Sequence, residues 1–297
     1  SATLLMAVCL LGLGSNQGDR EAHLVEALAE IGKLSQTRVV ARSEFRESLP
    51  VGGSGHLQPF LNGGCLIETS LAPLAFWERL SAIETQLGRV RKGAWGPRPI
   101  DLDLLLYDDQ VVWGSPLRIP HPWMLVRTFV MEPAAELAPQ MRHPLANATL
   151  ADLYHHLQHA PPRACVLSAT GTEPPPGLDW PVSSLEFRLW EDDWRQTPAA
   201  IEQTPCPGVL WADCSVESAA TALPAISLQA VSPAVRLFVG LLEPTLLDTG
   251  WRAGPPTTID ETIARSLANC GQPFVLMDKE HRLDRLAAAC HALGTAS

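Results

Sequence analysis

Two carboxylates, Asp101 and Asp103, open the apolar run DLDLLLY, and a cation-rich segment leads straight into them: Arg89, Arg91, Lys92 and Arg98, with Trp95 in their midst. Alternate side chains of an extended strand share a face, so the two aspartates project together while Leu102 and Leu104 turn the other way. Carboxylates that close raise each other's pKa unless a cation lies between them. Magnesium, a hard ion that takes oxygen ligands beside phosphates, suits that position. Two such ions can hold both ends of a phosphoryl group in transfer. A lone D-x-D is also what a turn followed by an edge strand would leave, and the cations are what weigh against that reading, because arginine forks match phosphate oxygens. Gly88, Gly93, Gly96, Pro97 and Pro99 punctuate the segment, which predicts a mobile loop that closes over a phosphate-bearing ligand with Trp95 as cover.

These groups need a scaffold. Apolar periodicity predicts strands at about Leu5–Leu13, Val39–Phe45, Asn62–Thr69 and Asp101–Leu106, and helices at about Arg20–Leu34 and Leu74–Leu87. The second helix rests on Leu74, Trp77, Leu80, Ile83 and Leu87, with Gly88 at its end. Shorter helical pieces follow at about Pro122–Glu136 and Leu150–His156. The order β-α-β-β-α-β is that of an α+β, ferredoxin-like antiparallel sheet. Proline-rich stretches around Pro161 and Pro175 then mark a boundary. They divide the chain into a first domain, 1–160, and a second, 163–297.

The second half alternates strands (Ala164–Ala169, Ser184–Leu189, Gly208–Ala212, Val235–Leu241, Pro273–Met277) with helices (Asp193–Gln203, Ser215–Leu223, Thr258–Asn269, His281–Leu293). Apolar strands in that alternation predict an α/β parallel sheet of flavodoxin-like type. It carries no phosphate-loop G-x-x-x-x-G-K-[ST], and it is too short for a synthase barrel of about 250 residues. Asp213, Asp248 and Asp278, at or just beyond predicted strand ends, are its candidates for chemistry, and each is equally a cap or turn residue.

Bulk properties narrow the function classes. A net charge of −10 over 297 residues argues against a general nucleic-acid binder. Anionic substrates would therefore need local cations. Seven cysteines with no C-x-x-C spacing fit reduced thiols and a cytoplasmic location. The opening LLMAVCLLGLG lacks a basic flank and is too short to span a bilayer, so it is expected to be a buried strand with no membrane role.

The segments GLGSNQGD (Gly12–Asp19), FLNGGCLIETSLAP (Phe60–Pro73), IETQLGRVRKGAWGPRPIDLDLLLY (Ile83–Tyr107), IPHPWMLVRTFVMEPAAELAP (Ile119–Pro139) and the HP at His143 occur in an order and spacing that resemble the 6-hydroxymethyl-7,8-dihydropterin pyrophosphokinases of folate synthesis. The resemblance covers about the first 155 residues and implies a ferredoxin-like fold there. It also implies a reaction: ATP gives its β,γ-pyrophosphoryl unit to the pterin hydroxymethyl group and AMP leaves. Asp101 and Asp103 match the ligands of two magnesium ions. Arg89 and Arg98 match cations that grip the phosphates, with Arg91 and Trp95 on the catalytic loop. Glu84, Leu104, Arg118, His121 and Arg127 match nucleotide and phosphate contacts. Phe60 and Phe129 match the rings that sandwich the pterin, Asn62 the amide that reads its edge, and Ser48, Pro50 and Val51 the segment beside it.

Departures are Phe60, where a tyrosine is common, and Leu49 before Pro50, where a second proline is often found. Neither touches the aspartates or arginines. The hydroxyl proton is left either to Asp103 or to a metal that acidifies the hydroxyl directly. A nucleotidyltransferase also combines G-S with D-x-D, but close together, whereas Ser15 and Asp103 are far apart here. A degenerate binding scaffold would have no use for intact Asp101, Asp103, Arg89 and Arg98. The second half is expected to be accessory or regulatory, and through it the chain would meet a second copy of itself or another folate-pathway enzyme.

Overall fold

In a computed structural model of the chain, residues 6–49, 58–90, 98–169, 182–188, 208–215, 236–242, 258–268, 271–278 and 289 are described. The chain forms two compact units, Ser1–Val112 with Pro116–Pro144, and Trp113–Ser115 with Leu145–Ser297. The division falls ahead of the proline-rich stretch at Pro161. No helix among the described residues is long and apolar enough to cross a membrane.

The first unit runs β1 (Ala7–Ser15), α1 (Arg20–Lys33), β2 (Thr37–Arg42), β3 (Arg46–Ser48), β4 (Phe60–Thr69), α2 (Pro73–Gln86), β5 (Asp101–Tyr107), a 3₁₀ turn Met124–Val126, α3 (Thr128–Leu137) and β6 (Arg142–His143). The β-α-β-β-α-β order read from the sequence is present, with β3 as an addition too short for periodicity to reveal. The sheet order is β2-β4-β1-β5, with β3 also on β4, and every pairing is antiparallel.

One face of this sheet carries Cys9, Leu11 and Leu13 of β1, Cys65 and Ile67 of β4, and Leu102 and Leu104 of β5. Leu24, Ala27 and Ile31 of α1 and Phe76, Leu80 and Ile83 of α2 pack on it. These are the i, i+3/i+4, i+7 positions that a helix turns toward a core. Phe76 is wholly buried there, and its replacement by alanine would cost about 3–5 kcal/mol. Asp19 caps α1 by accepting a hydrogen bond from Ala22 N.

The opposite face is covered differently. A Cβ on Gly64 would lie 3.0 Å from Leu137 and 3.2 Å from Pro133, so glycine is what lets α3 sit against β4 there. Beyond α3 that face carries Gly12 and Gly14 of β1, which add no side chain to it.

The second unit contains β7 (Ala148–Thr149), α4 (Leu150–His159), β8 (Arg163–Ala169), β9 (Val182–Arg188), β10 (Gly208–Ser215), β11 (Leu237–Leu242), α5 (Ile259–Leu267) and β12 (Phe274–Asp278). The five longer strands form a parallel sheet in the order β12-β11-β8-β10-β9. All six residues of β11 are buried, as expected for a parallel sheet covered on both faces. A Cβ on Gly240 would approach Leu267 of α5 to 2.7 Å, so that helix packs directly over β11.

The parallel sheet matches the sequence expectation, but its order does not. Numbered along the chain, the strands read 2-3-1-4-5, whereas a flavodoxin-like sheet reads 2-1-3-4-5. The first and third strands have exchanged places. Residue pattern marks a strand as buried and parallel but carries no information on which strand lies beside it. Nor is the order that of a barrel, where consecutive strands adjoin, since β10 separates β8 from β9. Asp213 lies in β10 opposite Ser168 of β8, and Asp278 ends β12. Asp248, and the expected helices at 193–203, 215–223 and 281–293 apart from Ser215 and Ala289, lie outside the described residues.

Candidate active site

Register builds the site. Gly14 of β1 pairs with Asn62 of β4 on one side and Asp101 of β5 on the other, and Gly12 pairs with Gly64 and Asp103 in the same way. Directly paired residues of an antiparallel sheet share a face. Asn62, Gly14 and Asp101 therefore form one row across three strands, and Gly64, Gly12 and Asp103 the next. The glycines leave the middle of the rows open. A Cβ on Gly14 would lie 3.0 Å from Asn62 Oδ1 and 3.6 Å from Phe60. From β4 to β5 is two strand spacings, about 10 Å.

The β5 end is charged. Asp101 is held by Arg98 on one carboxylate oxygen and Arg89 on the other. Arg89 also pairs with Glu84, whose Oε1 accepts Leu102 N at 2.8 Å. Glu84 is buried at the end of α2. Burial pushes its carboxyl above the ordinary value, against the Leu102 amide and Arg89. Burial would lower Arg89, but Asp101 and Glu84 outweigh it and raise its pKa.

Asp103 is engaged quite differently. Its nearest basic partners are Arg127 Nη1 at 3.8 Å and His121 Nε2 at 3.9 Å. Both distances exceed a direct hydrogen bond and leave room for a ligand atom. Burial would raise its pKa, yet His121, Arg127, Arg98 and Arg89 together hold it below the usual aspartate value. His121 accepts Trp123 N at Nδ1 (3.2 Å), which assigns its proton to Nε2, on the Asp103 side. Burial lowers the pKa of this imidazole against the opposing pull of Asp103. The Arg127 guanidinium stands 5.9 Å from the ring centres of both Trp123 and Phe129, and burial lowers its pKa.

At the β4 end the groups beside Gly14 are neutral, and next to them Arg46, which pairs with Asn62 across β3 and β4, is held by Glu136 of α3 at 2.8 Å. Asn62 Nδ2 donates to Ser48 Oγ at 2.7 Å, which fixes the orientation of the amide. Ser48 pairs with Phe60 across β3 and β4. Phe60 and Ser48 are half-buried and Asn62 is buried.

Residues 10–139 match the family model for 7,8-dihydro-6-hydroxymethylpterin-pyrophosphokinase. The chain is 42% identical over 135 residues to the 2-amino-4-hydroxy-6-hydroxymethyldihydropteridine pyrophosphokinase of Pseudomonas aeruginosa, covering 45% of this chain and 82% of that one. It is 39% identical over 141 residues to the Bacillus subtilis protein of the same name, covering 48% and 84%. The chain belongs to the 7,8-dihydro-6-hydroxymethylpterin-pyrophosphokinase family. It is thus a pyrophosphokinase, an ATP-dependent diphosphotransferase of folate synthesis. The fission-yeast folic acid synthesis protein fol1 is 37% identical over 144 residues, 48% of this chain and 19% of its own length. A crystal structure of an HPPK-DHPS with substrates aligns over 76% of this chain and 60% of that one, at 10% identity and a TM-score of 0.42.

Within this pyrophosphokinase fold, Asp101, Asp103, Arg89, Arg98, His121 and Arg127 come together at the β5 end, and Ser48, Phe60 and Asn62 at the β4 end. Phe129 opens α3 beside Arg127. Leu104 is buried on the α2 face of the sheet, so only its backbone is available to a ligand. Arg118 lies just before Ile119, whose backbone pairs with Val112. Pro50, Val51, Arg91 and Trp95 lie outside the described residues.

Trp123 and Asn16 escaped the sequence reading of the site. Trp123 sits two residues from His121, and its position beneath Arg127 could have been suspected from that spacing. Asn16 lies in the GLGSNQGD segment, where only its structure reveals a partner.

Magnesium fits these donors. Such an ion binds through one or two carboxylates together with substrate phosphates and waters. The Asp103 carboxylate makes no hydrogen bond to the described residues, and Asp101 is the next residue along β5 on its face.

Proposed function

We propose that the first unit acts as a ferredoxin-like pterin pyrophosphokinase, transferring the β,γ-pyrophosphoryl group of ATP to the hydroxymethyl oxygen of 6-hydroxymethyl-7,8-dihydropterin and releasing AMP. The observation that carries the reading is the pair of dissimilar ends on one open sheet face. A flat, neutral heterocycle suits the β4 end and a polyphosphate the β5 end, and about 10 Å of glycine floor separates them.

Asn62, oriented by Ser48, offers its carbonyl to a pterin N–H, and Phe60 and Phe129 supply aromatic surface for stacking. Pro50 and Val51 complete the pterin side. Asp101 and Asp103 would hold magnesium, two ions in the fullest form of this reading. Bound there, the metal would neutralise phosphate charge and acidify the pterin hydroxyl. Arg98 and Arg89 are preorganised beside Asp101. Each guanidinium, staying beside Asp101, presents its positive charge to phosphate oxygens bound there. Arg127 and His121 present N–H donors on the Asp103 side, placed for the same polyphosphate. Arg118, Leu104, Arg91 and Trp95 belong to the nucleotide side, and Glu84 holds Arg89 in place.

The second unit is accessory or regulatory, and a second copy of the chain or another folate-pathway enzyme is the partner it would meet. Buried thiols at Cys9, Cys65 and Cys165, with Cys65 pushed up to about 12 by burial, agree with a reducing cytoplasm.

The test is stoichiometric. AMP and pterin diphosphate should appear one for one, only with both magnesium and hydroxymethyldihydropterin present. AMP release that ignores the pterin, or ADP as the product, would refute the assignment.

A further inference from the structure

Of the GLGSNQGD segment the reading above uses only Gly12 and Gly14, yet Asn16 reaches the functional arginine Arg98. In the β1–β5 register Gly14 faces Asp101, so residue 16 would next face Pro99. Proline has no N–H, and the regular ladder cannot continue through it. Asn16 bypasses the proline. Its backbone N–H donates to Arg98 O at 3.0 Å, and its side-chain Oδ1 accepts Arg98 N at 2.6 Å. The side-chain carbonyl accepts the Arg98 N–H instead, and both polar groups of the Arg98 backbone are held by a single residue.

Asn16 is 3% exposed, and its Nδ2 has no hydrogen-bond partner among the described residues. A buried, unsatisfied donor costs stability, so folding alone would not favour an asparagine here. The oxygen half of the amide is the useful half, and what it holds is the residue whose guanidinium grips Asp101.

We infer that Asn16 is a positioning residue for Arg98, fixing that residue's backbone so that its guanidinium stays beside Asp101 and the phosphates it is to bind. This rests on the reading of Arg98 as a phosphate-gripping cation. The role is one of aim, and a misplacement of about 1 Å at a reacting centre can cost 10²-fold in rate.

A double-mutant cycle in the full-length chain tests it. Asn16→Ala is expected to lower kcat about 10²-fold, with the Kd for hydroxymethylpterin within about twofold of the parent, since pterin contacts are on β4. In an Arg98→Ala background the same change should cost less than about threefold, because its target is gone. Asn16→Asp, which keeps the Oδ acceptor, should stay within about fivefold of the parent, and Asn16→Ser, too short to reach Arg98 N, should show the loss expected of alanine and takes its place in the cycle if the alanine variant does not fold. Equal losses in both backgrounds, full activity in Asn16→Ala and Asn16→Ser, or a parallel rise in pterin Kd would overturn the inference. Full activity in Arg98→Ala would instead refute the underlying assignment of Arg98, which keeps the two failures distinct.

Discussion

The two ends of the active-site row are made from opposite materials. At β5, carboxylates and guanidiniums crowd together: Asp101 is committed to two arginines, while Asp103 stands 3.8 and 3.9 Å from its partners. At β4, the groups beside Gly14 are a neutral Asn62–Ser48 hydrogen bond and Phe60, with Arg46 beyond them neutralised by Glu136. Charge at one end suits a group whose charge changes during reaction; neutral hydrogen bonds and apolar surface at the other suit recognition of a heterocycle. The difference teaches that rate and selectivity should separate along the row. Changes at β5 should fall on kcat and changes at β4 on pterin KM.

The largest test of that separation is Asp103→Ala, which should lower kcat by about a thousandfold or more while pterin Kd, measured by titration calorimetry, stays within about twofold. Parallel loss of both would merge the two ends into one. At the other end, Asn62→Ala should raise pterin KM about tenfold, the effect of about 1.4 kcal/mol for a lost neutral hydrogen bond, with kcat held within about threefold. Gly14→Ala sharpens the boundary between them. Its Cβ would crowd Asn62 Oδ1 at 3.0 Å but Asp101 Cβ only at 3.9 Å, so a KM increase of a few fold should exceed any change in kcat. Removing residues 160–297, which leaves β7 and α4 in place, should leave kcat within about twofold; steady-state assay of the folded truncation measures this, and a large loss would make the removed part of the second unit necessary for catalysis.

The smallest effect guards the comparison against acid unfolding. His143 is buried and its pKa is lowered to about 3 by that burial. In the unfolded chain it titrates near 6.5. Between those values the unfolded state binds the extra proton, so this contribution to stability is fully present above about pH 6.5 and is lost as pH falls toward 3, by at most about 1.4 kcal/mol per pH unit. Urea unfolding at pH 7 and pH 5 should differ accordingly, and His143→Gln should flatten the difference. His143 is not among the residues assigned to the site, and Asp103 is held below the usual aspartate value by His121, Arg127, Arg98 and Arg89. Inactivation near pH 5 that tracks unfolding would therefore leave the site assignment untouched.

Much of the first unit was legible because alternation and helical spacing report burial directly. DLDLLLY announces a strand with two aspartates on one side, and Leu80 and Ile83 announce the helix face that meets it. The functional row was harder to read. That Gly14 lies between Asn62 and Asp101 is a matter of register, which joins residues some 40 to 90 positions apart. Asn16 acquires its role only because Pro99 interrupts a ladder that its neighbours continue. Glu84 and Leu104, read as nucleotide contacts, turn their side chains to Arg89 with Leu102 N and to the α2 core respectively. In the second unit the strands were found, but the exchange of β8 and β10 relative to a flavodoxin-like order lies in the crossovers, and apolar composition is blind to those.

The most direct measurement is a crystal structure of the full chain with magnesium, a nonhydrolysable ATP analogue and hydroxymethyldihydropterin. The account predicts metal ions on Asp101 and Asp103, the pterin against Asn62, and its hydroxymethyl oxygen about 3–3.5 Å from the β-phosphorus. A polyphosphate bound away from the aspartates, or a pterin lying over β5 instead of β4, would contradict it.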